Sequence, residues 1–243
     1  MPKPALKPGP EPGPGSEMAR QLVLPLPVRQ GRGREDFFVT PANALALATL
    51  DGGNWPGGRL ILAGPEGAGK SHLAAIWAAE QGARLRPAAG LGAAEAPGLA
   101  AGGALVLEDA QHLAGDAGAE AALFHLLNLM AAEGGRLLLT ADAPPRDWGL
   151  GLPDLLSRLE ASTLVRLAAP DEALMAAVLV KLFADRQMAV GQSLISWLVA
   201  RMERSLGQAR ALVAALDARA LAEGRAITRQ MAAEALENLS QNG

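Results

Sequence analysis

The residues Gly64-Pro65-Glu66-Gly67-Ala68-Gly69-Lys70-Ser71 fit G-x-x-x-x-G-K-[ST] at every fixed position. Glycines at that spacing let backbone N–H groups close around an anion, and a helix starting there adds the positive end of its dipole. The flanks meet both requirements. Leu60-Ile61-Leu62-Ala63 reads as a short buried strand, and His72-Leu73-Ala74-Ala75-Ile76-Trp77-Ala78-Ala79 reads as a helix. In such a loop Lys70 reaches the β- and γ-phosphates of a nucleotide, and Ser71 holds Mg²⁺. The competing explanation is a glycine-rich turn that fits by chance. The strand before it and the helix after it argue against chance.

A second group of residues suits the same chemistry. Ala104-Leu105-Val106-Leu107 is an apolar strand that delivers Glu108 and Asp109 to its carboxyl end, the edge where ligands sit in open parallel sheets. One carboxylate would orient the Mg²⁺ shell and the other polarise an attacking water. A strand that merely ends in acids is the plainer alternative. Leu137-Leu138-Leu139-Thr140 is followed by Asp142-Ala143-Pro144-Pro145. A polar group there either touches the γ-phosphate or caps a turn, and spacing alone does not choose. Arg158 closes a short helix after that strand, and Arg210 lies on a later amphipathic helix. An arginine can stabilise transition-state charge in a neighbour or report the γ-phosphate. Read without context, both are solvated helix arginines.

The elements that must position these groups alternate along the chain. Strand signals at residues 59–63, 104–107, 136–140 and 164–167 are interleaved with helical ones. That pattern implies an α/β fold with a parallel sheet flanked by helices. Residues 82–103 are rich in small side chains and carry no assignable pattern. From Asp171 onward only amphipathic helices are legible, over about 171–186, 193–202, 207–222 and 228–239. The expected organisation is a tail over residues 1–32, an α/β nucleotide-binding domain over 33–169 and a small all-helical domain over 170–243. The first seventeen residues are so rich in Pro and Gly that they are expected to be disordered, and Met18 begins a stretch that reads well as a protein start.

Composition narrows the classes. Of 243 residues 50% are hydrophobic and only 3% aromatic, with an Ala and Leu excess that favours helix. With no cysteine, disulfides, zinc–thiolate sites and thiol catalysis are excluded. The three histidines, His72, His112 and His125, are too scattered to suggest a metal cluster. A net charge of -3 argues against strong autonomous DNA binding. No apolar run is long enough to cross a membrane, and no signal-peptide core is visible, so the chain is expected in the cytoplasm.

Taken together, the phosphate loop, acidic strand, polar strand end, Ser157-Arg158 and lid arginine resemble the AAA+ ATPases. Within them the chain is similar to the DnaA-related family, and to its short Hda-type branch, the regulatory inactivators of DnaA. The likeness covers about residues 20–240. It implies an AAA+ P-loop domain followed by a helical lid, with ADP or ATP and Mg²⁺ as cofactors. It implies nucleotide contacts at Val39, Gly64, Gly67, Ala68, Gly69, Lys70, Ser71, His72, Asp142 (the sensor 1 region) and Arg210 (sensor 2). Ser71 and Glu108 would serve the metal, and Glu108 and Asp109 the hydrolytic chemistry. Arg158 falls at the arginine finger, acting in trans on DnaA.

Gln21-Leu22-Val23-Leu24-Pro25-Leu26 resembles the hexapeptide that binds the DNA polymerase sliding clamp, its beta subunit. There Gln21 would offer an amide, Leu22, Leu24 and Leu26 apolar contacts, and Pro25 an extended backbone that lowers the entropy cost of docking. A proline-broken linker packed on the domain is the alternative. DNA would be met indirectly, through the clamp, and a homodimer is compatible with the family. The chain also departs from the pattern. Glu108 stands where the family has Asp, which implies weak or no intrinsic ATPase activity. Asp154 stands where the initiator has a further arginine, which argues against initiator-like filaments. The sequence ends near the fourth lid helix, leaving no room for the initiator's DNA-binding domain. The implied function is negative regulation of replication initiation. A self-sufficient ATPase, such as a helicase loader or remodelling factor, and a clamp-tethered adaptor with purely structural nucleotide stay open.

Overall fold

The computed structural model describes residues 37–241. The Pro/Gly-rich start and the hexapeptide at residues 21–26 lie outside the described residues. Five strands form one parallel sheet: β1 (Arg59–Ala63), β2 (Arg84–Pro87), β3 (Ala104–Glu108), β4 (Arg136–Ala141) and β5 (Thr163–Arg166), in the order β2-β3-β4-β1-β5. The three central strands are near-continuous runs of Leu, Ile and Val because both their faces are covered. Alternation along each strand splits them between two cores. Ile61, Leu105, Leu107, Leu137 and Leu139 face α3 (Ala96–Ala100), α4 (Ala117–Ala132) and α5 (Pro153–Glu160). Leu60, Leu62, Val106 and Leu138 face α1 (Ala44–Gly52) and α2 (Lys70–Gln81). This is the expected α/β class, with a parallel sheet flanked by helices and a helical region after it.

Two elements within residues 82–103 escape the sequence reading. Edge strand β2 is Arg-Leu-Arg-Pro and largely exposed, so it has no apolar run to announce it. Its proline is tolerated because it ends an edge strand. Helix α3 is one short turn and a half of small residues.

Past β5 the described residues are helical: α6 (Glu172–Asp185), α7 (Gln192–Val199), α8 (Leu206–Glu223) and α9 (Arg229–Gln241). Asp171 caps α6, its side chain accepting from Leu174 N–H at 2.7 Å. Ser205 caps α8 in the same way, accepting from Gln208 N–H. These helices bury a core of their own around Leu179, Phe183, Leu198, Leu212 and Leu216. No helix of the described residues is long and apolar enough to cross a membrane.

Candidate nucleotide site

β1 leads the chain to the carboxyl edge of the sheet, between β4 and β5. There Gly64 N–H donates to Ala141 O at 3.1 Å. A Cβ at Gly64 would lie 2.5 Å from Leu167 O, so only glycine leaves the sheet by this route. Gly67 has φ +72, and a Cβ there would sit 2.1 Å from Ser205 Oγ. The start of α8 therefore rests directly on the loop. Leu206 N–H donates to Gly67 O at 2.9 Å and fixes that seat. Helix α2 then starts with no side-chain cap and no acid in its first turn. The positive end of its dipole lies at the loop, where an anion would be stabilised.

Lys70 is buried, and its ammonium has all three donors engaged. Nζ donates to Gly64 O at 2.7 Å, Pro65 O at 3.1 Å and Asp142 Oδ1 at 2.7 Å. Asp142, half exposed, also accepts from Gln111 Nε2 at 3.1 Å through its other oxygen. Thr140 is fully buried, and its hydroxyl accepts the Asp109 N–H at 3.0 Å. It thereby holds Asp109 in a left-handed turn, φ 56, as the chain leaves β3. Of the two readings for the end of β4, the turn-holding one describes Thr140. Asp142 is the residue that faces the loop.

These parts enclose a cavity of about 470 Å³ whose lining includes Lys70, Ser71, Asp109, His112, Asp142 and Arg210. Glu108 is half-buried at the end of β3 and is not among its lining residues. A neighbouring hollow of about 200 Å³ is lined by Phe37, Phe38, Ala68, His72, Leu174 and Arg210, among others. Its size and apolar walls suit a purine ring. Phe37 stacks on His72 with centroids 5.7 Å apart. Val39 is not in that wall and packs half-buried against the sheet core. Arg210 borders both spaces, exposed, with no salt bridge among the described residues. No group of three His, Asp or Glu residues able to hold a metal forms among the described residues. Mg²⁺ here would need phosphate oxygens beside Ser71 and Asp109, since Glu108 is not in the cavity wall.

Arg158 is in the last turn of α5, exposed, with its guanidinium 5.1 Å from the Phe124 ring centroid. It does not line this chain's own cavity. Sequence reasoning missed Glu120, on α4. Its carboxylate is buried and accepts from the N–H groups of Gly115 (3.0 Å), Gly151 (3.1 Å) and Leu152 (2.8 Å). Burial alone would push its pKa up, but the three donors outweigh that and hold it below the ordinary glutamate range. It thus pins the loop that starts α5 to the first turn of α4. The signal was present: Glu120 precedes Leu123 and Leu127 by three and seven positions, on the helix face that is buried.

Uncapped helix start, glycine loop and buried lysine at the edge of a parallel sheet together make a phosphate-binding site, with the helical region seated over it. No protein-family model matches the chain. Among solved structures, it is similar to domain III of the Thermotoga maritima replication initiation protein DnaA. The TM-score is 0.73 at 19% identity, covering 84% of this chain and 95% of that one. It is also similar to AMPPCP-bound DnaA from Aquifex aeolicus, with TM-score 0.58 and 21% identity, over 70% of this chain and 60% of that one. A Thermotoga maritima RuvB mutant gives TM-score 0.62 at 17% identity, over 81% and 66%. At these identities the likeness shows the fold: that of the DnaA AAA+ domain and its relatives.

Proposed function

We propose that this chain is a nucleotide-holding, clamp-tethered negative regulator of bacterial replication initiation, of the Hda type. The observation that carries the reading is the separation of two halves of one reaction. The phosphate loop and its cavity lie at the carboxyl edge of the sheet, while Arg158 is displayed outside that cavity, on α5. Its guanidinium is therefore available to another chain's nucleotide. The likeness to DnaA domain III names the candidate partner, and the AMPPCP held by related DnaA supports nucleotide at the loop.

In this reading Lys70, the α2 N–H groups and Ser71 hold the phosphates of ADP or ATP with Mg²⁺. The apolar hollow between Phe37, His72 and Leu174 takes the base. Arg210 and the Ser205–Leu206 seat on Gly67 let the bound nucleotide set the lid angle, and so the docking surface. Gln21, Leu22, Leu24, Pro25 and Leu26 tether the chain to the sliding clamp on DNA. Arg158 then enters the γ-phosphate site of DnaA and stabilises charge as hydrolysis proceeds there. Intrinsic hydrolysis is weak because Glu108, the first β3 acid, stands off the cavity. The test is DnaA-bound ATP hydrolysis with clamp-loaded DNA. Arg158→Ala is expected to keep nucleotide and clamp binding and to lose stimulation; full stimulation by that variant would overturn the finger assignment.

A further inference from the structure

Arg59 and Arg158 lie at the edge of the sheet opposite the nucleotide cavity, near enough for the charge of one to act on the other. Side chains alternate along β1, so Arg59 shares the Ile61 face, which α4 and α5 cover. The next residue, Leu60, pairs with Thr163 at the start of β5. The turn before that strand is tied to α5, because the Ser162 hydroxyl donates to Arg158 O at 3.2 Å. Chain connectivity thus brings the first residue of β1 against the last turn of α5. The Phe124 ring under Arg158 limits the directions its guanidinium can take.

The arrangement is unfavourable as it stands. Burial, and then the charge of Arg158, hold the Arg59 guanidinium below its ordinary pKa. Neither arginine has a carboxylate salt bridge among the described residues. Arg59 Nε is buried with no acceptor, and a charged donor left unmet is costly. An anion between the two would offset both penalties. It would neutralise the repulsion and accept from the planar forks, whose geometry matches phosphate oxygens.

We propose that Arg59 and Arg158 form one phosphate-binding pair, in which Arg59 is a second guanidinium beside the finger, built for the terminal phosphate of a nucleotide held by a partner. β1 spans about 16 Å from Arg59 to the loop, at roughly 3.3 Å per residue, so this chain's own nucleotide is out of reach. Only the source of the phosphate rests on the finger reading. The affinity of the pair for phosphate stands without it.

The direct test is calorimetric titration of tripolyphosphate at low ionic strength. It is added to the chain saturated with ADP and Mg²⁺ and, in parallel, to Lys70→Ala, so that the loop does not compete. One site is expected, weakened at least about tenfold by Arg59→Gln and by Arg158→Gln. Arg59→Lys keeps charge and stem, so weakened binding there with an unchanged melting temperature reports lost fork geometry rather than unfolding. No binding, or binding that all three variants retain, overturns the proposal. In the DnaA hydrolysis assay Arg59→Gln is expected to cut stimulation at least about tenfold with clamp capture intact. Loss with Arg158→Ala but not with Arg59→Gln would overturn the assignment of Arg59 to the partner's terminal phosphate. Tripolyphosphate binding through the pair, with DnaA hydrolysis unaffected by either variant, would uphold the pair and reject the finger.

Discussion

Lys70 is the residue on which both the loop and its chemistry depend. Its ammonium satisfies two loop carbonyls and Asp142 at once. Lys70→Ala leaves the buried Gly64 carbonyl without its partner, so unfolding free energy is expected to fall by about 1–3 kcal/mol. The same variant is expected to lose the thermal stabilisation that ADP or ATP confers on the wild type, which scanning fluorimetry reads directly. A full nucleotide-dependent shift in Lys70→Ala would remove the loop from the account. Lys70 and Ser71 were legible in the sequence because a phosphate loop imposes backbone spacing, and glycine is the residue that meets it. The division of labour among neighbouring polar residues was not. Glu108 and Asp109 are adjacent in sequence, yet successive strand residues point to opposite faces and the turn at Asp109 redirects the second. Only Asp109 reaches the cavity wall. Phe37 and Phe38, rather than Val39, line the apolar hollow, and nothing in three consecutive apolar residues distinguishes them beforehand.

At the scale of elements, two contacts decide how the helices stand. Glu120 ties the loop before α5 to α4, and Phe124, one turn further along α4, supports Arg158. One helix face thus positions both ends of α5. Glu120→Gln presents an amide to three N–H donors and leaves at least one unmet, so a loss of about 1–3 kcal/mol is expected at neutral pH. The native carboxylate titrates below its unfolded value. Its contribution is therefore complete above about pH 4.3, the ordinary glutamate value, and fades as pH falls through the lower folded-state value. Chemical denaturation from pH 7 to 3 should show the gap between wild type and Glu120→Gln constant at first and narrowing below about pH 4. A gap that widens on acidification would contradict the clamp. Gly67→Ala makes the second element-scale case. The positive φ and the overlap with Ser205 require the start of α8 to move. Faster proteolysis near residues 203–206 and a larger scattering radius are expected, and an unchanged lid would show that the seat does not matter. Most elements were legible because their apolar periodicity is strong: β1, β3, β4 and helices α6 to α9 each read within a few residues of their observed bounds. β2 and α3 were not, because an exposed edge strand and a short Ala/Gly helix bury too little to leave a pattern.

At the scale of the molecule, the sheet module and the helical region each bury a core, and the cavity is made where they meet. The net charge of -3 gives the chain no general attraction to DNA. In the proposed function the tether to the sliding clamp supplies the attachment to DNA that surface charge does not. Gln21→Ala combined with Leu24→Ala is expected to abolish capture by sliding clamp in a pull-down, while nucleotide-dependent stabilisation stays intact. Equal capture by the double variant would place the clamp contact elsewhere or nowhere. The central claim is that the hydrolysis this protein controls takes place in another protein's site. It is tested most directly by loading DnaA with labelled ATP and this chain with unlabelled ADP, then following the label in the presence of clamp-loaded DNA. The expected result is rapid conversion of the labelled ATP on DnaA by the wild type and none above background with Arg158→Ala. Label that stays as ATP on DnaA, while the isolated chain hydrolyses ATP at its own Lys70 site, would contradict the account.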